Sequence, residues 1–322
     1  MEETWIEAYK IVPASPPQKD YPDYQVGYTY THQGEVKLCE SGFHASPTFV
    51  YCKNYIAPDK NYRYLKVRMN GPIWESDNSK CVAGKLEVLS EYSYGEVQQL
   101  VQHAIINNTE YYAKGFGYHR EDKNANGNVL PAIIRADGSM SWCKEGKLHR
   151  EDKDADGNVL PATIWANGSQ EWYKDGKYHR EDKDADGNVL PAVIWVNGSK
   201  FWCKEGKLHR EDKDADGNVL PAKILANGSM FWYKDGKLHR DDKDANGNVL
   251  PATIHADGSM CWYKDDKLHR EDKDANGNIL PAKIDADGSK YWYKGGVEQE
   301  SPSNVASSDA HPKASWTKER TQ

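Results

Sequence analysis

Apolar and polar positions recur with a fixed beat through the second half of the chain. A His-Arg pair stands at His119, His149, His179, His209, His239 and His269, so the pattern repeats every 30 residues without slippage. A strict period of this size predicts a repeat architecture, in which each unit buries its apolar side against its neighbours. Each unit has three strand-like pieces; in the second copy they are 162–166, 169–174 and 177–181. Asn167-Gly168 and Asp175-Gly176 separate them, and such dipeptides suit two-residue type I′ turns, where both residues take positive φ. Pro161 falls at the start of a strand, where its missing N–H costs least. The pattern predicts an antiparallel meander.

Two-residue turns would also fix the faces. Around Asn167-Gly168, Ala166 pairs with Ser169, Ile164 with Glu171 and Ala162 with Tyr173. Around Asp175-Gly176, Tyr173 pairs with Tyr178 and Trp172 with His179. One face then carries Ala162, Ile164, Ala166, Tyr173 and Tyr178. It reads as the core, because Ile recurs at 134, 164, 194, 224, 254 and 284. The other carries an invariant Trp beside a freely varying position: Arg135, Trp165, Trp195, Leu225, His255 and Asp285. Free variation implies solvent. Trp142, Trp172, Trp202, Trp232, Trp262 and Trp292, beside His149, His179, His209, His239 and His269, are therefore the expected binding surface. The plainer reading packs each Trp on neighbouring Lys stems.

Upstream, residues 1–92 do not repeat. Strand-like runs at 25–31, 35–39, 62–69 and 85–89 suggest a small α+β domain. Ser93 and Glu96 have the spacing of a capping box, and Val97, Leu100, Val101, Ala104 and Ile105 fall on one helical face. Residues 93–108 are expected to be a helix, and 93–118 a capping helix and linker before the repeats at 119–296. Residues 297–322, rich in Ser and polar residues, read as a disordered tail. The expected class is mainly β: a small N-terminal α+β domain, then a six-repeat antiparallel meander.

The net charge of −7 and a pI of about 5.9 argue against nucleic acid as the partner, although a local basic stripe is compatible with both. Mean hydropathy is −0.88, which suits a thin repeat sheet. With 11 Trp and 20 Tyr the chain is too aromatic to be unfolded. No apolar run reaches membrane-spanning length, and no signal region follows Met1, so a cytoplasmic protein is expected. The six cysteines show no zinc spacing; Cys143, Cys203 and Cys261 read as one repeat position that alternates with Tyr.

Three patterns bear on chemistry. Asp152, Asp154 and Asp156, followed by Gly157, have the form of the first half of a calcium loop, repeated at Asp182, Asp184, Asp186 and at Asp212, Asp214, Asp216. The acidic twelfth ligand is missing, and Asp/Asn-Gly strings also make ordinary turns. Calcium is thus the one cofactor considered, and otherwise none is expected. The HRED string occurs too often to be a catalytic site, which is normally single and concave; a cross-strand role for His and an Arg–carboxylate pair is expected. Cys39 and His44 invite a nucleophile–base reading, but no third orienting group accompanies them.

The repeat core, DGSMFWYKDGKLHRED with LPA and an Ile-centred strand, resembles MORN-variant repeats of bacterial, phage and giant-virus proteins, apart from its longer loop after HRED. That resemblance implies a scaffold for protein or lipid contact, with no shared activity. The run VGYTYTHQGEVKLCESGFHAS resembles an uncharacterised domain common in tailed-phage proteins, which implies a phage or prophage source. A distant likeness to ADP-ribosyltransferase-type folds carries no identifiable NAD-contacting residue. The leading expectation is a non-enzymatic repeat scaffold for a protein partner. The alternatives are a calcium-binding adhesive or structural protein, and an enzymatic N-terminal domain targeted by the repeats.

Overall fold

The computed structural model describes residues 4–14, 22–37, 42–52, 57–74 and 80–301. It is mainly β and divides into two compact units, Met1–Tyr178 and His179–Gln322. The division falls between the second and third repeats.

The first unit opens with β1 (Trp5–Pro13), β2 (Thr29–Thr31), β3 (Phe43–Ala45), α1 (Phe49–Cys52), β4 (Tyr62–Asn70), β5 (Ile73–Trp74), β6 (Cys81–Ala83), β7 (Lys85–Tyr92) and α2 (Tyr94–Gln99). An antiparallel sheet runs β1-β4-β7-β2, and a smaller one runs β3-β6-β5. Both faces of the larger sheet are covered. Ala8, Val12, Leu65, Val67, Met69, Leu86 and Val88 pack with Phe43 and Cys81 of the smaller sheet. On the other side Tyr9, Ile11 and Tyr64 pack with Phe49 of α1 and Val97 of α2. This is why β1 shows five buried residues in a row rather than alternation.

The expected helix at 93–108 is corrected. The Ser93–Glu96 capping box is present, but the helix ends at Gln99. Residues Val101–Ile106 form a strand, β8, paired with β9 (Thr109–Lys114). The reason lies in Asn107 and Asn108, both with positive φ (47° and 61°). They form a tight hairpin turn rather than a helix end. The β-branched Val101, Ile105 and Ile106 suit the extended form.

From β9 the repeats continue the ladder. In the first unit the order after β10 (Gly117–Tyr118) and β9 is Ile133–Ile134, Met140–Ser141, Thr163–Ile164 and Gln170–Glu171. In the second unit Val193–Ile194 opens the same alternation, which ends at Lys290–Lys294 and Val297–Gln299. Each copy adds a side hairpin, such as Cys203–Lys204 with Lys207–Leu208, and a third one closed by a bridge such as Lys213 to Val219.

The side hairpin has the expected two-residue turn: Asp175 and Gly176 both have positive φ, and Tyr173 pairs with Tyr178. The first turn does not. Thr163 pairs with Glu171 and Ile164 with Gln170, one residue away from the expected register. Trp165 N–H donates to Ser169 O, and Gly168 N–H to Trp165 O, both at 2.9 Å. Only Gly168 (φ 88°) takes positive φ, while Asn167 Oδ1 accepts the Ser169 N–H at 2.9 Å. This is a three-residue loop closed by a glycine bulge. A one-residue slip exchanges faces. Thr163 and Trp165 now share a face with Glu171, whereas Ile164 lies with Gln170.

Cys261 does not share a position with Cys143 and Cys203: it pairs with Thr253, whereas they pair with Leu148 and Leu208. The tail does not start at 297, because Val297–Gln299 is a strand; residues 302–322 lie outside the described residues. Lys10, a charged residue on β1, is 7% exposed. Its Nζ donates to the His44 carbonyl at 2.7 Å, and burial pulls its pKa from 10.5 down to about 8.

That burial gives a pH test. The folded state releases the Lys10 proton near pH 8 and the unfolded state near 10.5. The cost of burying the charge is present below about pH 8 and is relieved as pH rises toward 10.5. Relative to Lys10→Met, the wild type is expected to gain about 3 kcal/mol of stability over that window. Chemical denaturation of both chains from pH 7 to 10.5 measures it; a constant difference would show that Lys10 titrates normally.

Candidate functional site: the repeat face and its supporting junction

Each repeat is held by one set of contacts. The Trp indole Nε1–H donates to the main-chain carbonyl 13 residues earlier, at 2.7–2.8 Å in all six copies. An Arg guanidinium lies over the ring: Arg210 is 4.0 Å from the Trp202 centroid, and Arg240 and Arg270 repeat the distance on Trp232 and Trp262. Arg120 does the same on Tyr112, one period earlier. The Arg Nε donates to the Asp two residues on at 2.9–3.1 Å, and its NH1 to the Pro carbonyl at 3.1–3.3 Å. Burial lowers the pKa of the Arg210 guanidinium, with Asp212 opposing the shift. The Asp carboxylate also reaches the preceding copy, where it accepts the Val189 N–H (from Asp212) or the Val219 N–H (from Asp242) at 3.0 Å.

The expected Trp–His binding ladder is therefore corrected. Trp142, Trp172, Trp202, Trp232 and Trp262 are only 4–6% exposed. Each indole is needed inside, where its N–H has a carbonyl, and the ring faces of Trp142, Trp202, Trp232 and Trp262 also meet an Arg. Trp292, in the last repeat, is half-buried. His149 and His179 are buried, and His209, His239 and His269 half-buried. Their Nδ1 atoms accept a main-chain N–H from the next turn, as His209 does from Asp235 at 3.1 Å. The expected pairing of Trp with His is seen as His149 N–H to Trp142 O at 3.0 Å.

The aspartate loops are hairpins. In the second copy, Asp154 Oδ1 accepts the N–H groups of Asp156 (3.0 Å) and Asn158 (2.9 Å), and Gly157 N–H donates back to Asp154 O. Asp152 is turned the other way, onto Arg150 and the Val129 N–H. Asp156 is exposed at the tip. The same division holds for Asp182, Asp184 and Asp186, and for Asp212, Asp214 and Asp216. Among the described residues no three His, Cys, Asp or Glu side chains are grouped so as to hold a metal ion.

With the register corrected, three variable positions share the opposite face. They read Ile133, Thr163, Val193, Lys223, Thr253, Lys283; Ser141, Glu171, Phe201, Phe231, Cys261, Tyr291; and Arg135, Trp165, Trp195, Leu225, His255, Asp285. In the second unit their rings form a strip. Trp195, 43% exposed, lies 4.6 Å from Phe201. Lys223 Nζ sits between Phe201 (5.5 Å) and Phe231 (5.1 Å), and Phe231 meets His255 at 5.5 Å. In the first unit Arg135 lies 5.5 Å from the exposed Trp165 ring. Phe201, Phe231 and Lys223 were missed because the two-residue turn put their strands on opposite faces; their variation between copies was the available signal.

In the N-terminal domain, Cys39 lies outside the described residues. His44 lies on β3, its carbonyl bonded by Lys10. Cys52 and Cys81 are free and buried, and burial pushes both thiols up to about 12, which makes them poor nucleophiles.

Residues 6–100 match a domain of unknown function (DUF7666). No curated protein and no solved structure is detectably similar to the chain. No helix among the described residues is long and apolar enough to cross a membrane.

The two Asp roles separate by mutation. Asp212→Ala removes an acceptor from Arg210 and from Val189 N–H and is expected to cost about 1–3 kcal/mol. Asp216→Ala, at the exposed tip, is expected to cost less than about 0.5 kcal/mol. Millimolar Ca²⁺ or EDTA is expected to leave the thermal midpoint of the full chain unchanged. A calcium-dependent rise abolished by Asp216→Ala would restore the metal reading, since a ligand that binds only the folded state stabilises it.

Proposed function

We propose that this chain is a non-enzymatic repeat scaffold that presents the variable sheet face to a protein partner. The observation that supports it is the division of labour within the 30-residue unit. The Trp, Arg, Asp, Pro and Ala of the junction are the same in all six copies, while the three face positions change in size and charge. Packing and junction contacts constrain the first set. In the second, Thr163, Val193, Thr253, Ser141, Glu171 and Cys261 are buried, and the side chains open to a ligand are Trp165 and Trp195, with Phe201, Leu225, Phe231 and His255 half-buried. The opposite face keeps Ile at one position and an unbranched Met, Gln or Lys at the other. Aromatic side chains on a rigid support are the usual anchors of protein interfaces. The likeness to MORN-variant repeats, and the phage source suggested by the N-terminal motif, agree with a scaffold acting on host or phage proteins.

A second reading, an activity in the N-terminal domain, has one observation in its favour: a buried amine with a lowered pKa, Lys10, bonded to the backbone of the GFHA segment. Its burial, with the amine 5.6 Å from the Tyr24 ring centroid and bonded to a main-chain carbonyl, favours a structural role instead.

The scaffold reading is tested with Trp195→Ser/Phe201→Ser/Phe231→Ser. These side chains lie outside the Trp–Arg–Asp junction, so the melting midpoint is expected to shift by only a few degrees. Crosslinking in extracts of a bacterial host should yield proteins bound by the wild type and lost with the triple variant. An identical set from both would remove the face from consideration.

A further inference from the structure

The internal junctions define what a repeat expects on each side. Towards its predecessor each third hairpin offers an Asp carboxylate. Towards its successor it offers the N–H of the residue before Leu. Inside the units these meet: Asp152 with Val129 at 3.1 Å, and Asp212, Asp242 and Asp272 with Val189, Val219 and Val249 at 3.0 Å. The Asp side chains so engaged are 11–14% exposed.

The outermost hairpins carry the two unmatched halves. Asp122, in the first repeat, pairs with Arg120 but receives no main-chain N–H among the described residues, and its side chain is 69% exposed. No Asp stands 23 residues beyond Ile279; Pro302 holds that place. The Ile279 N–H has no acceptor among the described residues, and Ile279 is 47% exposed where Val159, Val189, Val219 and Val249 are half-buried. Trp292, whose carbonyl partner is Ile279, is likewise more open than the other five. Capping is uneven at the start of the array: β8 already covers β9, and the Gly115 N–H is bonded to Leu100 O just beyond α2, but nothing described covers Asp122.

We infer that copies of this chain associate head to tail, the 122–130 hairpin of one copy seating on the 272–280 hairpin of the next. The Asp122 carboxylate accepts the Ile279 N–H of the second copy, as Asp152 accepts Val129 within a chain. The surfaces are complementary because they are the two sides of one repeated junction. The contact is heterologous, so it does not close on itself and extends into short chains. Two hairpins bury far less than a stable dimer needs, so the association is weak and concentration-dependent.

Sedimentation velocity of the full chain over a concentration series tests this. The mean sedimentation coefficient is expected to rise with concentration for the wild type and to stay at the monomer value for Asp122→Ala and for Ile279→Pro. Each variant keeps one intact end, so their equimolar mixture is expected to form dimers that do not grow further. Ile279→Asp, which places two carboxylates together, replaces the proline variant if that one melts early. A wild type that stays monomeric at every concentration overturns the inference, as does Asp122→Ala associating like the wild type. So does a chain that associates only after removal of 302–322, which would mean that its own last residues cover the edge.

Discussion

The repeat region rests on one buried cation. In every copy an Arg is bonded to an Asp and a Pro carbonyl, and Arg120, Arg150, Arg210, Arg240 and Arg270 are each held against an aromatic ring. A guanidinium suits this position because its planar fork serves the ring face and two acceptors at once, which an ammonium cannot do. The arrangement fixes the rest. The Asp is held so that the oxygen accepting the Arg also meets the neighbouring copy's main-chain N–H, and the Trp is held so that its N–H reaches the loop carbonyl. A 30-residue unit with two-residue strands has little apolar area of its own. Such a unit needs polar contacts that are fully satisfied, because a buried charge left without a partner costs more than the packing returns.

Much of this was legible in the sequence, and the failures are instructive. The period, the meander, the side-hairpin turn and the small N-terminal domain follow from spacing and from Asp-Gly pairs. The faces did not, because Asn-Gly serves two turn types. In Ala166-Asn167-Gly168 the Asn side chain bonds the Ser169 N–H, which favours the three-residue form. One residue of register then carried the Phe and Lys positions to the other face and turned the Trp row from surface to core. Asn107-Asn108 failed in the opposite sense: a two-residue turn was there, and an amphipathic pattern of apolar residues hid it.

The loop aspartates show how one spacing of carboxylates also serves the protein's own backbone. The spacing of Asp152, Asp154 and Asp156 places alternate carboxylates in a turn, as a calcium site requires. Here main-chain N–H groups and a guanidinium engage Asp152 and one oxygen of Asp154, while Asp156 is exposed at the tip. The same small acidic side chains favour both a tight turn and a cation.

The three-residue loop also bears on how such an array changes over generations. Because copies within each unit are joined by the same contacts, loss or gain of one whole 30-residue segment there leaves register, junction and faces unchanged. A single-residue insertion within the Ala-Asn-Gly loop would reverse the facing of every strand that follows it in the copy. Unequal recombination between near-identical coding segments is therefore structurally silent, whereas a one-codon change in a turn is not. The length of the array and the chemistry of its variable face can drift independently.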